Sequence, residues 1–201
     1  MAPLTPTMRL LVLALTLAAC GDAVRSSATP AAAASPAPAD SAMTLFDFDD
    51  ADASDWFVVN DGVMGGDSQG RLSLDGGTMS FTGELVTAGG GFTSVRVVRQ
   101  ADLSDYDGVE LRVRGGGRTF EVEVNDATRN RRREVSRRAP FTTTADWQTV
   151  RVPFSSLKST AFGEPVDAGP LDRADVRSFG LFIADGQDGP FELEVDWIRA
   201  Y

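Results

Sequence analysis

The chain has 201 residues, 19 Lys+Arg against 29 Asp+Glu, a formal net charge of −10, one cysteine and no histidine. Without histidine there is no Ser-His-Asp chemistry, no His-ligated zinc and no use of the commonest general base. A lone cysteine cannot form an internal disulfide, and the acidic balance argues against nucleic acid and anionic lipid as partners.

In chain order, Arg9 is followed by an apolar run from Leu10 to Ala19, too short to span a bilayer, that ends in Leu17-Ala18-Ala19-Cys20. Met8 stands directly before Arg9 as an alternative start. This stretch resembles a bacterial lipoprotein signal. The resemblance implies cleavage after residue 19, acylation of Cys20 and anchoring to a membrane of the cell envelope. Gly21, where inner-membrane lipoproteins would carry Asp, points to the outer membrane by the same analogy. Residues 20–43 are rich in Ala, Ser, Pro and Thr and lack the apolar surface needed to fold. They read as a disordered tether that reaches on the order of 70 Å if Pro30, Pro36 and Pro38 keep it extended.

Residues 44–201 are of single-domain size. Period-two alternation recurs through Val109 to Arg114, Thr119 to Val124 and Phe191 to Ile198, each giving a strand with one wet face. Asp-Gly pairs at Asp61, Asp75, Asp107, Asp185 and Asp188 supply turns. No helical period is sustained, so the pattern predicts an all-β antiparallel sandwich or barrel, of which the jelly-roll sandwich is favoured. Val176 to Ala184 is expected as a central strand buried on both sides. The closing strand to Tyr201 is expected to pair near Thr44 to Asp49, and Asp172 to Asp175 to form one helical turn.

The stretch Asn60-Asp61-Gly62-Val63-Met64-Gly65-Gly66-Asp67-Ser68 follows a strand and describes a tight loop. It lacks the Gly-Lys-Ser/Thr ending of a phosphate loop. Together with Phe81 to Leu85, Gly90 to Arg96, Asp102 to Gly108, Leu111 to Arg118, Trp147 to Val150, Val152 to Phe154 and the ending Phe191 to Tyr201, it resembles the complex I intermediate-associated protein 30 family. The resemblance implies a galactose-binding-like jelly roll and, in eukaryotic members, a role in assembling respiratory complex I. Gly116 stands where the family often has an acidic residue.

The candidate binding residues are Asn60, Asp61, Gly62, Met64, Gly65, Gly66 and Ser68, with Phe92, Arg96, Arg114, Arg118 and Trp147. The loop is either a rim whose polar groups meet a ligand, or a structural turn in which Asn60 and Asp61 cap their own backbone and Met64 plugs the core. One of Arg96, Arg112, Arg114 and Arg118 is expected to pair with Asp61, and Arg114 to fix the loop by an ion pair. Arg129, Arg131 to Arg133, Arg137 and Arg138 form a basic cluster, either a dock for an anionic partner or the membrane surface, or a solvated hairpin tip. Trp56, Trp147 and Trp197 are either ligand platforms or core. Asp47, Asp49 and Asp196 are candidates for a structural calcium; no other cofactor is implied. A carboxylate pair for glycoside hydrolysis remains open, yet none of the 29 acids is singled out. The expectation is a non-catalytic envelope lipoprotein that binds or helps assemble protein partners. The alternative is a carbohydrate-binding module.

Overall fold

The alternating segments become strands of two stacked antiparallel sheets in a computed structural model, which describes residues 42–49 and 55–201. Cys20, the signal and the tether up to residue 41 lie outside the described residues. The strands are β1 (Met43–Phe46), β2 (Phe57–Asn60), β3 (Gln69–Asp75), β4 (Thr78–Leu85), β5 (Thr93–Ala101), β6 (Gly108–Arg114), β7 (Thr119–Asp126) and β8 (Arg129–Asn130). They continue with β9 (Arg133–Glu134), β10 (Ser136–Thr142), β11 (Gln148–Pro153), β12 (Lys158–Ala161), β13 (Glu164–Pro165), β14 (Val176–Ile183) and β15 (Gly189–Ala200). The first sheet runs β11-β6-β15-β4-β3, and the second β13-β12-β10-β7-β14-β5-β2. β1 joins the first sheet beside the end of β15, with Met43 opposite Ala200, as the sequence leads one to expect.

Period-two patterning sorts each strand into a dry and a wet side. Val109, Leu111 and Val113 of β6 and Phe191, Leu193 and Val195 of β15 enter one core with Phe120, Val122 and Val124 of β7 and Phe179, Leu181 and Ile183 of β14. Each large side chain so buried stabilises the fold by about 1.5–3 kcal/mol. β14 lies between β5 and β7, so it is central as expected. The expected turn before it is a 3-10 turn at Arg173–Asp175, started by Asp172, whose side chain accepts from the Ala174 amide.

Three hairpins close on two central residues that both have positive φ, the geometry that suits the twist of paired strands. In β3–β4 these are Gly76 (φ 56°) and Gly77 (φ 76°), the residues this turn favours. In β12–β13 they are Phe162 (φ 54°) and Gly163 (φ 82°), and in β8–β9 Arg131 (φ 47°) and Arg132 (φ 74°). A side chain in the left-handed region costs about 1–2 kcal/mol, so three residues at these two tips work against the local backbone.

Arg137 leaves the expected basic cluster altogether. It lies on the inner side of β10 at 2% exposure, its Nη2 3.3 Å from Oδ2 of the fully buried Asp126. Its guanidinium donates to Ser159 Oγ (2.9 Å) and to the carbonyls of Gly169 (2.7 Å) and Ala168 (3.1 Å). Asp126 in turn accepts from the amides of Thr128 (2.8 Å) and Asp172 (2.7 Å). The pair fastens the long β13–β14 connection to the second sheet. Arg138 also turns away, pairing with Glu121 at 2.9 Å on the outer face.

Candidate functional site

The loop after β2 is built around a buried carboxylate. Asp61, fully buried at the start of a 3-10 turn, accepts from the Ser68 amide (3.0 Å) and hydroxyl (2.7 Å) and from the amides of Gly91 (2.7 Å) and Phe92 (3.3 Å). Burial opposes its charge, but these donors, the Ser68 hydroxyl foremost, outweigh it and hold the carboxyl below the usual aspartate range. Ser68 Oγ also accepts from the Val86 amide at 3.1 Å. Beside it, Asn60 Oδ1 accepts from the Gly70 amide (2.9 Å) and the Thr93 hydroxyl (2.6 Å). A Cβ at Gly66 would stand 2.2 Å from the Asp61 carboxyl carbon, and one at Gly90 2.6 Å from its Oδ2, so both positions need glycine. Gly65 (φ 88°) ends the turn, its amide bonded to the Gly62 carbonyl at 3.1 Å.

The motif is therefore a clasp between two loops. Two expectations need correction: among the described residues Asp61 takes no arginine partner, because hydroxyl and amide donors already surround it. Met64 does not plug the core but is 65% exposed at the turn.

Phe92 and Arg96 belong to a different surface, the outer face of the second sheet. Here Phe57, Arg96, Gly180, Glu123 and Arg138 form one cross-strand row. The guanidinium carbons of Arg96 and Arg138 each lie 4.6 Å from the Phe182 ring centre, and Phe92 stacks on Phe182 at 6.2 Å. These cations cover Phe182 to 4% exposure, which is how β14 comes to be buried on both sides. Burial lowers the Arg96 pKa from its ordinary value, against the pull of Glu123. Glu123 is 3% exposed; one carboxyl oxygen accepts from Asn125 and the other has no hydrogen-bond partner among the described residues. At the β2–β5 edge of this face Phe57 and Val98 remain 47% and 74% exposed on either side of Arg96. Sequence reasoning missed Phe57, Val98 and Glu123, and read Phe182 only as part of a strand buried on both sides. The one local signal is Val98, which breaks the alternation of β5 next to Val97.

Arg114, Arg118 and Trp147 are not brought to this surface. Arg114 pairs with Glu194 across β6 and β15, so it ties two strands together, which corrects the expectation that its ion pair fixes the loop. Arg118 grips Asp185 with Nε (2.6 Å) and Nη2 (2.7 Å) and holds the carbonyls of Gln187 (2.6 Å) and Pro190 (3.0 Å). Trp147 lies under Arg114 (4.9 Å) and Arg112 (5.7 Å), and Trp197 under Arg199 (4.1 Å), while Trp56 is core. The tryptophans thus form no open platform.

Asp196 pairs with Arg112 at 3.0 Å instead of joining Asp47 and Asp49. No group of three metal-ligating side chains occurs among the described residues. On the first sheet's outer face an open groove of about 700 Å³ is lined by Gln69, Arg71, Thr82, Glu84, Arg118 and Glu192, among others.

The fold resembles the family 11 carbohydrate-binding module of Clostridium thermocellum at 18% identity and TM-score 0.60, covering 79% of this chain and 94% of that one. A crystallised agarase matches with TM-score 0.54 and 14% identity, over 79% of this chain and 24% of its own. These likenesses show the jelly-roll β-sandwich fold. In sequence, the mouse mitochondrial complex I intermediate-associated protein 30 is 31% identical over 173 residues, 75% of this chain and 53% of the mouse protein. The Drosophila melanogaster protein of that name is 27% identical over 183 residues, 77% of this chain and 61% of its own. The chain thus spans about half to three-fifths of the length of these relatives. The model of the family described as complex I intermediate-associated protein 30 matches residues 46–195, so the chain belongs to that family.

Proposed function

We propose that this protein is a non-catalytic binding module that holds a protein partner in an assembly role, carried at the cell envelope by a lipid on Cys20. The observation that carries this reading is the β2–β5 edge: two exposed apolar side chains, Phe57 and Val98, flank the half-buried Arg96. Aromatic and arginine side chains are the residues that protein interfaces favour. The names of the mouse and fly relatives, which place them with complex I intermediates, agree with a protein partner.

Crosslinking the membrane-held protein and identifying what co-purifies tests the reading. The double variant Phe57→Asp/Val98→Asp is expected to cut recovery of a specific partner about tenfold or more. Its thermal midpoint should stay near that of the parent, since both side chains face solvent. Equal recovery from the double variant, or no specific partner at all, sinks the proposal.

The groove on the first sheet favours a second reading. Its Gln69, Arg71, Thr82, Glu84 and Glu192 line an open polar surface suited to a polyhydroxylated ligand. Retention of the parent on soluble glycans, lost in Arg71→Ala/Glu84→Ala, would transfer the function to carbohydrate binding.

A further inference from the structure

Two hairpin tips meet beside the β13 edge of the second sheet and present a surface unlike the rest of the domain. Arg131 and Arg132 form the tip of β8–β9, and Phe162 that of β12–β13. Arg133 joins them, its guanidinium 4.6 Å from the centre of the Phe162 ring. Phe162 is 77% exposed, and the three arginines are exposed as well. Arg129 is bridged to Glu134 at 3.5 Å, whereas among the described residues no carboxylate pairs with Arg131, Arg132 or Arg133. Glu164 follows the Phe162 turn, so Glu134 and Glu164 are the acids nearest in sequence to the tips.

The turn geometry adds an independent argument. Both tips adopt the conformation for which Asn-Gly or Gly-Gly is the natural choice, as β3–β4 illustrates with Gly76 and Gly77. Arg-Arg and Phe-Gly are unfavourable there. Local rules broken without a packing gain point to what the residues present outward. What they present is one large apolar ring bordered by cations, on two narrow tips.

We infer that this corner is a membrane-docking tip for anionic phospholipid, with Phe162 entering the interface and Arg131, Arg132 and Arg133 meeting phosphate oxygens. A single apolar side chain on narrow tips offers little of the area a stable protein interface buries, but suits a deformable layer of headgroups. The acidic remainder of the domain, which argued against anionic lipid from composition alone, then fixes orientation, because repulsion leaves this corner as the approach that is attractive. The inference stands independently of the proposed partner surface, which involves other residues.

The test uses the full chain carrying Cys20→Ser, so that no acyl chain contributes, sedimented with vesicles of phosphatidylcholine alone or mixed with phosphatidylglycerol. Binding is expected only to the mixed vesicles, weakening as salt is raised. Arg131→Asn/Arg132→Gly installs the preferred turn and removes two cations. Affinity is expected to fall about 25-fold, at roughly fivefold per arginine, while the thermal midpoint holds or rises. Phe162→Asn should likewise weaken binding without loss of stability. No binding by the parent, equal binding to both vesicle types, or unchanged affinity in the Arg131→Asn/Arg132→Gly variant overturns the inference. So does capture by polyglutamate in solution without capture by vesicles, which would make the corner a dock for acidic protein.

Discussion

Replacing Arg137 with methionine is expected to lower the unfolding free energy by about 3–5 kcal/mol, read from the urea midpoint at constant slope. The loss has little to do with the attraction of the ion pair itself. Burying two charges is costly, and Arg137 and Asp126 tolerate it because other groups share the load: Ser159, the carbonyls of residues 168 and 169, and the amides of Thr128 and Asp172. Removing the cation leaves Asp126 buried with its charge uncompensated and frees the β13–β14 connection from the sheet. The double variant Arg137→Met/Asp126→Leu should recover part of the loss, since an apolar pair of similar volume is often as stable as the ions it replaces. A double variant no more stable than Arg137→Met alone would show that tying down the connection, not the stranded charge, dominates.

Asp61→Asn is expected to destabilise by about 2–4 kcal/mol, with hydrogen exchange rising in both clasped loops. Four donors converge on the carboxylate, and an amide offers one acceptor oxygen in place of two while turning an NH2 toward groups that also donate. The same residue sets an acid limit. Because its carboxyl is held below the ordinary range in the folded state, it stabilises the fold at every pH above its unfolded value. That contribution disappears as the pH falls below about 4 toward the folded value. Asp126 and Asp185 are lowered too, the first against its burial by the Asp172 amide and Thr128, the second mainly by Arg118, so they act in the same direction. Asp61→Asn should therefore show a shallower fall in stability between pH 5 and 2 than the parent. An equally steep fall would place the acid sensitivity elsewhere.

The strands were readable because period two is local: Phe120, Val122 and Val124 declare their side within one segment. So was the pairing of β1 with β15, and so was the jelly roll. What covers an outer face is another matter. Glu123 looks like one more wet position in its own strand, yet Arg96 and Arg138, brought beside it from other strands, leave it 3% exposed. The Asn60 to Ser68 stretch was recognisable as a tight loop, but its purpose depends on amides at 91 and 92, some thirty residues on. Arg137 and Arg138 read as part of a basic run; alternation along β10 sends one inward and the other outward, away from the hairpin. Backbone strain at Phe162 and Arg131 has no signature in composition at all.

The guanidinium covers over Phe182, Trp147 and Trp197 carry one more consequence. A lysine in such a place would lose its proton in strong base and release the ring beneath, whereas an arginine keeps its charge throughout. The chain has no histidine, Lys158 is its single lysine, and burial pushes the Tyr201 phenol upward. Between the carboxylates and the tyrosines almost nothing in the domain titrates. Its surface is a fixed pattern of charge, as indifferent to alkaline surroundings as it is vulnerable to acid.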